Sequence, residues 1–287
     1  MRSATNRPVA NLLARLLSWW ASYLAWRGLY GLPLMIGHRL KHRFARRRYT
    51  VSDPALGQIW LRPRSADLHV FAQVVISGEY TTPAAYTARL QARIDAVTAQ
   101  GRVPLIIDGG GNIGLAALAF AKSFPTAKVV SIEPDAANHA MAVANTRSCP
   151  NIEVLRAALW SHETTLDLAD GAVDTWAYQY GEAGQNAGGH TVDALSIDSL
   201  IARFPVAELV LLKLDIEGAE KQALQKDADF WSARPIIYVE PHDWFDGHSC
   251  SLTGLLSQPG YHDADWIISG ENILAFPVIT RPVTQAG

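Results

Sequence analysis

Apolar and polar positions follow two different rhythms along the chain. Over residues 9–48 the apolar positions recur at helical spacing, with a break predicted around Gly28–Pro33. Residues 49–62 shorten to two small runs turned by Asp53-Pro54 and Gly57, which predicts a hairpin. Ala84 to Gln100 is helical again and stops at Gly101. From residue 103 onwards short, wholly apolar runs alternate with helical stretches. Strands are predicted at 103–107, 128–132, 152–157, 209–214 and 235–239. Helices are predicted at 113–123, 135–147 and 198–203, and from Gly218 to Gln225. Thr164–Leu168 and His190–Leu195 read as an inserted hairpin around a Gly-rich loop, 170–189, long enough for a lid. Residues 265–268 and 272–276, turned at Gly270, read as a closing antiparallel pair.

Strands that are apolar throughout are buried on both faces, and strand–helix alternation implies parallel pairing with right-handed crossovers. The fold class is therefore α/β: a doubly wound, mostly parallel, Rossmann-like sheet with a C-terminal antiparallel hairpin and an N-terminal helical extension. The expected division is an extension over 1–48 and one α/β domain over 49–287, with its ligand-binding core at 103–278.

Composition changes this picture in one place. The chain has 287 residues, 49% of them hydrophobic, which is enough for a large core and excludes wholesale disorder. Two cysteines make neither a disulfide framework nor a zinc spacing, so a reducing, cytoplasmic compartment is expected. Net charge is −2, but residues 1–52 carry ten Lys/Arg and no Asp/Glu, leaving 15 basic against 27 acidic residues in the rest. The basic end also holds Trp19, Trp20 and Trp26. Arg15 and Arg27 interrupt its apolar run, so it suits neither a spanning helix nor a signal peptide. Two readings stay open. Residues 1–48 form an interfacial helix on an anionic membrane, at its inner face, or a helix packed on protein.

Residues 105–114, Leu-Ile-Ile-Asp-Gly-Gly-Gly-Asn-Ile-Gly, run an apolar strand into an acid, then into a glycine turn that opens a helix. Glycines here let a ligand approach the backbone, and the helix start offers free N–H groups. Gly109, Gly111 and Gly114 fit Gly-x-Gly-x-x-Gly, a pattern shared by dinucleotide and S-adenosylmethionine enzymes. Asp108 precedes the first glycine, where an amine-bearing ligand would want a carboxylate. Glu133 ends the next strand 25 residues later, where a carboxylate can accept hydrogen bonds from ribose hydroxyls.

Further along come Lys213-Leu-Asp-Ile-Glu-Gly-Ala-Glu220 and a strand ending in Glu240-Pro-His242. With these blocks the chain resembles the FkbM family of S-adenosylmethionine-dependent methyltransferases. The resemblance rests on Asp108–Gly114, Ser131–Pro134, Lys213–Glu220 and Glu240 in that order, together with 61–67 and 78–80, and covers roughly 59–278. Gly111 departs from it, since the family more often has alanine there; this is expected to loosen the turn without abolishing binding. The resemblance implies a class I methyltransferase fold, which places an antiparallel hairpin at the sheet edge. It implies S-adenosyl-L-methionine as cofactor. The cofactor site would then be Asp108, Gly109, Gly110, Gly111, Asn112, Gly114, Glu133, Pro134, Ala158 and Asp215. It also implies hydroxyl acceptors on saccharides, glycolipids or polyketides, which favours O-methylation.

Methyl transfer needs donor and acceptor held in line and a proton removed from the acceptor. Ligands in such sheets lie at the carboxyl ends of the strands. Candidate catalytic residues are thus Asp215, Glu217, Glu240 and His242. His242 is the expected general base because an ordinary imidazole titrates near neutrality. Asp215 would orient it or bind the donor's amino group. Lys213 with Asp215 also reads as a structural ion pair, and Glu217 and Glu220 as acids favoured at a helix start. Their spacing is diagnostic of no particular metal, so none is expected. No nucleic-acid partner is expected, and the basic, Trp-rich extension favours a lipid-linked or envelope saccharide. Rival readings are an NAD(P)-dependent oxidoreductase, which lacks its Tyr-x-x-x-Lys pair here, and a non-catalytic membrane-associated binding protein. The oligomeric state and the methylated position are not specified.

Overall fold

The computed structural model of the chain describes residues 7–168, 180–182, 190–225, 228–242 and 252–278. They fall into two compact units, one running to Glu79 and one from Tyr80.

The first unit opens with α1 (Arg7–Arg27) and, after a 3-10 turn at Gly28–Tyr30, α2 (Gly31–Phe44). The helices pack backbone to backbone: a Cβ on Gly31 would lie 2.2 Å from the carbonyl oxygen of Tyr23. Tyr23 is fully buried, and its hydroxyl meets His38 Nδ1 at 2.9 Å. Burial and the nearby Lys41 push His38 down to about 4, so it stays neutral. Strands β1 (Tyr49–Asp53) and β2 (Gly57–Leu61) pair antiparallel with Val51 opposite Ile59, as the hairpin pattern predicts. Helix α3 (Asp67–Phe71) continues into a π-helical turn at Ala72–Ile76, a segment the apolar rhythm did not reveal. Phe71 is fully buried, edge-on to Trp26 and His38, and Arg27 pairs with Asp53 at 2.9 Å. Residues 49–79 thus share a core with the two helices. The first compact unit therefore runs to Glu79.

The second unit begins with α4 (Ala84–Ala99), then alternates β3 (Val103–Gly109), α5 (Leu115–Ser123), β4 (Lys128–Ile132), α6 (Ala136–Thr146) and β5 (Ile152–Leu155). Next come β6 (Ala158–Leu159), β7 (Thr164–Leu168), β8 (Tyr180–Glu182), β9 (His190–Leu195), α7 (Ile197–Ala202) and β10 (Ala207–Leu214). The unit finishes with α8 (Glu220–Ala223), β11 (Ile236–Val239), α9 (Thr253–Leu256), β12 (Asp265–Ser269) and β13 (Asn272–Phe276). Asp135 caps α6 by accepting from Asn138 N at 2.7 Å, and Ser196 caps α7.

The main sheet has the order β12-β13-β11-β10-β3-β4-β5. Pairing is parallel from β11 through β5, and β13 and β12 add the antiparallel edge. The chain winds outward from β3 to β4 and β5, then crosses back to β10 and β11. The order therefore reverses between β3 and β10, the position where such sheets open a ligand crevice. Leu105, Ile106 and Ile107 on β3, and Leu211 and Leu212 on β10, have no exposed surface. Their burial on both faces is why the pattern showed no alternation.

The inserted hairpin is larger than expected. β9 pairs antiparallel with β7 and parallel with β6, and β8 adds to β7, making a second four-stranded sheet. Apart from Tyr180–Glu182, the loop expected as a lid lies outside the described residues.

Candidate active site

The strand ends at the reversal point build the site from below. The chain leaves β3 at Gly109 and turns at once, so that Gly110 N and Gly111 N both donate to Ile132 O on β4. Gly110 sits at φ 73 with Asp215 O only 1.7 Å from where a Cβ would be, so a side chain is excluded twice over. Gly111 has ordinary backbone angles, but its Cβ would lie 2.1 Å from Ser131 Oγ. That hydroxyl donates to Asp108 Oδ2 at 2.8 Å. Gly111 therefore makes room for the serine, and the expectation that it merely loosens the turn is replaced by this contact.

Asp108 is fully buried and lies under the turn, away from the cleft. Its partner is Lys213, whose Nζ lies 3.2 Å from Asp108 Oδ1 and donates to Gly109 O at 3.0 Å and Gly110 O at 2.7 Å. Burial opposes this ammonium's charge, yet Tyr80, Asp108 and Asp215 hold its pKa well above the ordinary value. The pair is an internal clamp on the glycine turn. This corrects the expectation that Asp108 presents a carboxylate to an amine-bearing ligand. Gly109 and Gly114 are also structural. A Cβ on Gly109 would meet Leu159 Cδ1 at 2.5 Å, and one on Gly114 would meet Ala142 Cα at 2.9 Å, where α5 crosses α6.

The cleft itself is lined by Gly110, Asn112, Glu133, Pro134, Asn138 and Ala158. Leu159, Asp215, Ile216, Glu217 and Ala219 line it as well. Glu133 is buried at the end of β4. Its Oε2 accepts from Asn112 N at 2.7 Å and its Oε1 from Asp135 N at 2.9 Å. The Asn138 side chain adds a third hydrogen bond, which leaves the carboxylate acceptor capacity to spare. Burial raises its pKa to about 7 against the pull of the two backbone donors. A larger cavity lies at the opposite end of the strands, around Arg93, Arg234 and Phe230, with neither the glycine turn nor the acidic group.

Beyond β10 the chain makes a turn in which Glu217 (φ 55) and Gly218 (φ 99) are both left-handed. Glu220 stabilises it: one buried oxygen accepts from Ile216 N at 3.1 Å and Gly218 N at 3.3 Å, and meets His242 Nδ1 at 2.9 Å. On its other nitrogen His242 faces Glu217 at 3.4 Å and Glu240 at 3.5 Å. Desolvation alone would lower this imidazole, but the carboxylates of Glu220, Glu240 and Glu217 outweigh it and raise the pKa to about 10. His242 is therefore an imidazolium at neutral pH, which corrects the expectation of an ordinary, near-neutral base. Glu217 is raised to about 7 by burial first, then by the charge of Asp215. Asp215 is raised too, by burial, with Lys213 opposing. Asp215, Glu240 and His242 each bring one ligand-type atom within 4.8 Å of the others.

The predicted strands end within two residues of those observed, and the fold gathers Asp215, Glu217, Glu240 and His242 at the ends of β10 and β11. The sequence passed over Glu220 as a helix-start acid, though the fold makes it the residue that positions His242. Asn138 and Ile216 were also missed. Asp135, three residues before Asn138, was the signal for the first.

Residues 108–262, just over half of the chain, match the methyltransferase FkbM domain. No curated protein matches. Among solved structures, the methyltransferase FkbM from Methylobacillus flagellatus KT is 18% identical with a TM-score of 0.39, covering 61% of this chain. The chain spans only 43% of that protein's length. A putative caffeoyl-CoA O-methyltransferase from Staphylococcus aureus is 9% identical with a TM-score of 0.36, over 75% of this chain and 94% of its own. With its glycine turn, its acid-ended second strand and the whole 213–242 block inside the matched region, the chain belongs to the FkbM methyltransferase family.

Proposed function

We propose that the protein is an S-adenosylmethionine-dependent methyltransferase acting on a hydroxyl group, of a saccharide, glycolipid or related natural product. The observation that carries the reading is Glu133. It is an ionisable carboxylate buried at the strand end, accepting from the backbone of the turn with each oxygen and from the Asn138 side chain as well, and its remaining acceptor capacity faces the cleft, where a ribose hydroxyl would meet it. Gly110 supports the same reading, because a cleft floor without a side chain admits a ligand against the backbone. Glu133 would hold the ribose, Ala158 and Leu159 would offer apolar surface to the adenine, and Asn112 would meet the donor's polar end.

When bound, the donor supplies a methyl group on a sulfonium, a centre open to in-line displacement. The chain's own task is then to orient a hydroxyl and take its proton. Glu217 fits that task. Its pKa of about 7 matches the working range, its side chain keeps 29% of its exposure, and it lines the cleft. Glu217 would take the hydroxyl proton as that oxygen displaces sulfur at the methyl carbon, the C–S bond breaking and its electron pair staying on the sulfur while the C–O bond forms. The His242 imidazolium, held by Glu220, keeps that carboxylate in place and compensates the negative charge gathered there. Asp215, beside Lys213, bounds the site next to the glycine turn.

Isothermal calorimetry with S-adenosylhomocysteine and with NAD tests the reading. Binding of the former alone is expected. Binding of NAD alone would make the protein an oxidoreductase, and binding of neither would leave the fold a non-catalytic one.

A further inference from the structure

The first unit exposes large apolar side chains that its own core leaves uncovered. On α1 these are Leu17, Trp20 and Leu24, at helical spacing. The turn into α2 carries Leu29, 91% exposed, and Tyr30, 78% exposed. On α2 they are Leu32, Ile36, Leu40 and Phe44, one every four residues. At 3.6 residues per turn, steps of four drift steadily around the helix, so these side chains spread into a broad band. A coiled-coil seam alternates steps of three and four to stay narrow, and this row does not.

Soluble monomers rarely expose an apolar surface this continuous without a use for it. Charge selects the use. Residues 1–52 hold ten basic residues and no acid. Among the described residues four of the basic ones are engaged within the unit: Arg27 with Asp53, Arg39 over Trp19, Arg48 over Trp60, and Lys41, which donates to Thr50 O at 3.2 Å. Lys41, Arg43, Arg46 and Arg47 are exposed at the end of α2 and just beyond it. A protein interface of this kind is depleted of charge at its centre and meets complementary charge at its rim. A one-signed cationic cluster at one end of a broad band of Leu, Ile, Phe, Trp and Tyr suits the boundary of an anionic bilayer. Among the described residues no helix is long and apolar enough to cross a membrane, so the contact is interfacial.

We propose that the α1–α2 hairpin is a monotopic membrane anchor, inserting Leu29, Tyr30 and the apolar rows of both helices into the headgroup boundary of an anionic membrane. The insertion face differs from the tryptophan trio that the sequence singled out. Trp19 stacks on Tyr23 and Trp26 meets Tyr23 edge-on, both only partly exposed, and of the three only Trp20 is exposed, at 40%. The inference is independent of the methyl-donor assignment.

Flotation of the full-length protein with vesicles tests it. The protein should float with phosphatidylcholine vesicles containing phosphatidylglycerol and stay down with phosphatidylcholine alone. High salt should weaken binding by at least about tenfold. The double variants Leu29→Ser/Tyr30→Ser and Ile36→Ser/Leu40→Ser change only exposed positions. Each should keep the wild-type melting curve by circular dichroism and lose at least about tenfold in vesicle binding. Three results would overturn the proposal: no flotation with anionic vesicles, flotation of folded variants equal to wild type, or a concentration-dependent dimer by light scattering that the variants return to monomer while vesicles bind neither.

Discussion

Glu133 accepts from Asn112 N with one oxygen and from Asp135 N with the other, and that makes its chemistry hard to replace. An amide at this position has one acceptor oxygen, and its NH2 would face either Asn112 N or Asp135 N, both donors. Glu133→Gln should therefore fail nearly as badly as Glu133→Ala. A hydrogen bond to a charged acceptor is worth about 1.5–3 kcal/mol, so donor-analogue affinity should fall at least tenfold in both. Calorimetry giving wild-type affinity for a folded Glu133→Gln protein would remove this residue from the ribose site. Across the cleft, Glu217 and His242 divide the proton chemistry. Glu217 takes protons below about 7, so turnover should drop as pH falls through that value. Glu217→Gln should lower turnover by ~10²–10⁴ and abolish the acidic limb. His242→Ala should slow the reaction while keeping a limb that reports Glu217. If instead the limb survives in Glu217→Gln and vanishes in His242→Ala, the histidine is the base. Activity should also survive chelation, because the atoms of His242 that a metal would need already face carboxylates. Loss with EDTA, restored by a divalent cation, would make Asp215, Glu240 and His242 a metal site.

At the level of elements, the glycine turn and β4 are fitted to each other through Gly111 and Ser131. Gly111 has no backbone need to be glycine, so Gly111→Ala should be costly only through Ser131 Oγ, 2.1 Å from the added carbon. Overpacking of this sort costs about 1–3 kcal/mol. Much of that cost should disappear in Gly111→Ala/Ser131→Ala, although Asp108 then loses its hydroxyl donor. Additive losses in a denaturant double-mutant cycle would show that the two positions do not couple. This coupling explains what was legible in the sequence. Strands such as Val103–Gly109 and Ala207–Leu214 announced themselves because burial on both faces demands unbroken apolar runs. The glycine turn was legible because few residues other than glycine fit it. The direction of Asp108 was not, since a carboxylate after a strand reads the same whether it faces a ligand or a buried lysine. The second sheet escaped for a different reason. Ala158–Leu159 and Tyr180–Glu182 are too short to carry a period, and only tertiary pairing makes them strands. The helix expected from Gly218 to Gln225 spans only Glu220–Ala223, and Glu220 turns its side chain back to Ile216 and Gly218 in the turn before it.

For the molecule as a whole, the cluster at the strand ends ties stability to pH. Besides Asp215 and Lys213, which are also raised, Glu133 and Glu217 go from 4.5 to about 7 and His242 from 6.5 to about 10. In each case the native state holds its proton more tightly than the unfolded chain does. A raised pKa of this kind contributes stability that is fully present below the unfolded value and lost as pH rises through the native one. For the two glutamates that window runs from 4.5 to about 7, where desolvation makes ionisation costly in the folded state. For His242 it runs from 6.5 to about 10, where the imidazolium gives up its proton and leaves Glu220, Glu217 and Glu240 facing one another uncompensated. Scanning calorimetry of the ligand-free protein should therefore show a melting temperature that falls across both windows, by about 2–4 °C for each kcal/mol lost in a unit of roughly 200 residues. Two variants separate the contributions. His242→Gln removes the titrating group and should flatten the upper window while leaving the lower. Glu217→Gln should lessen the fall in the lower window. A melting temperature that rises with pH through the upper window would mean that His242 is neutral in the folded protein. Its role in compensating the carboxylates would then fail, and the case for the histidine as resting base would return.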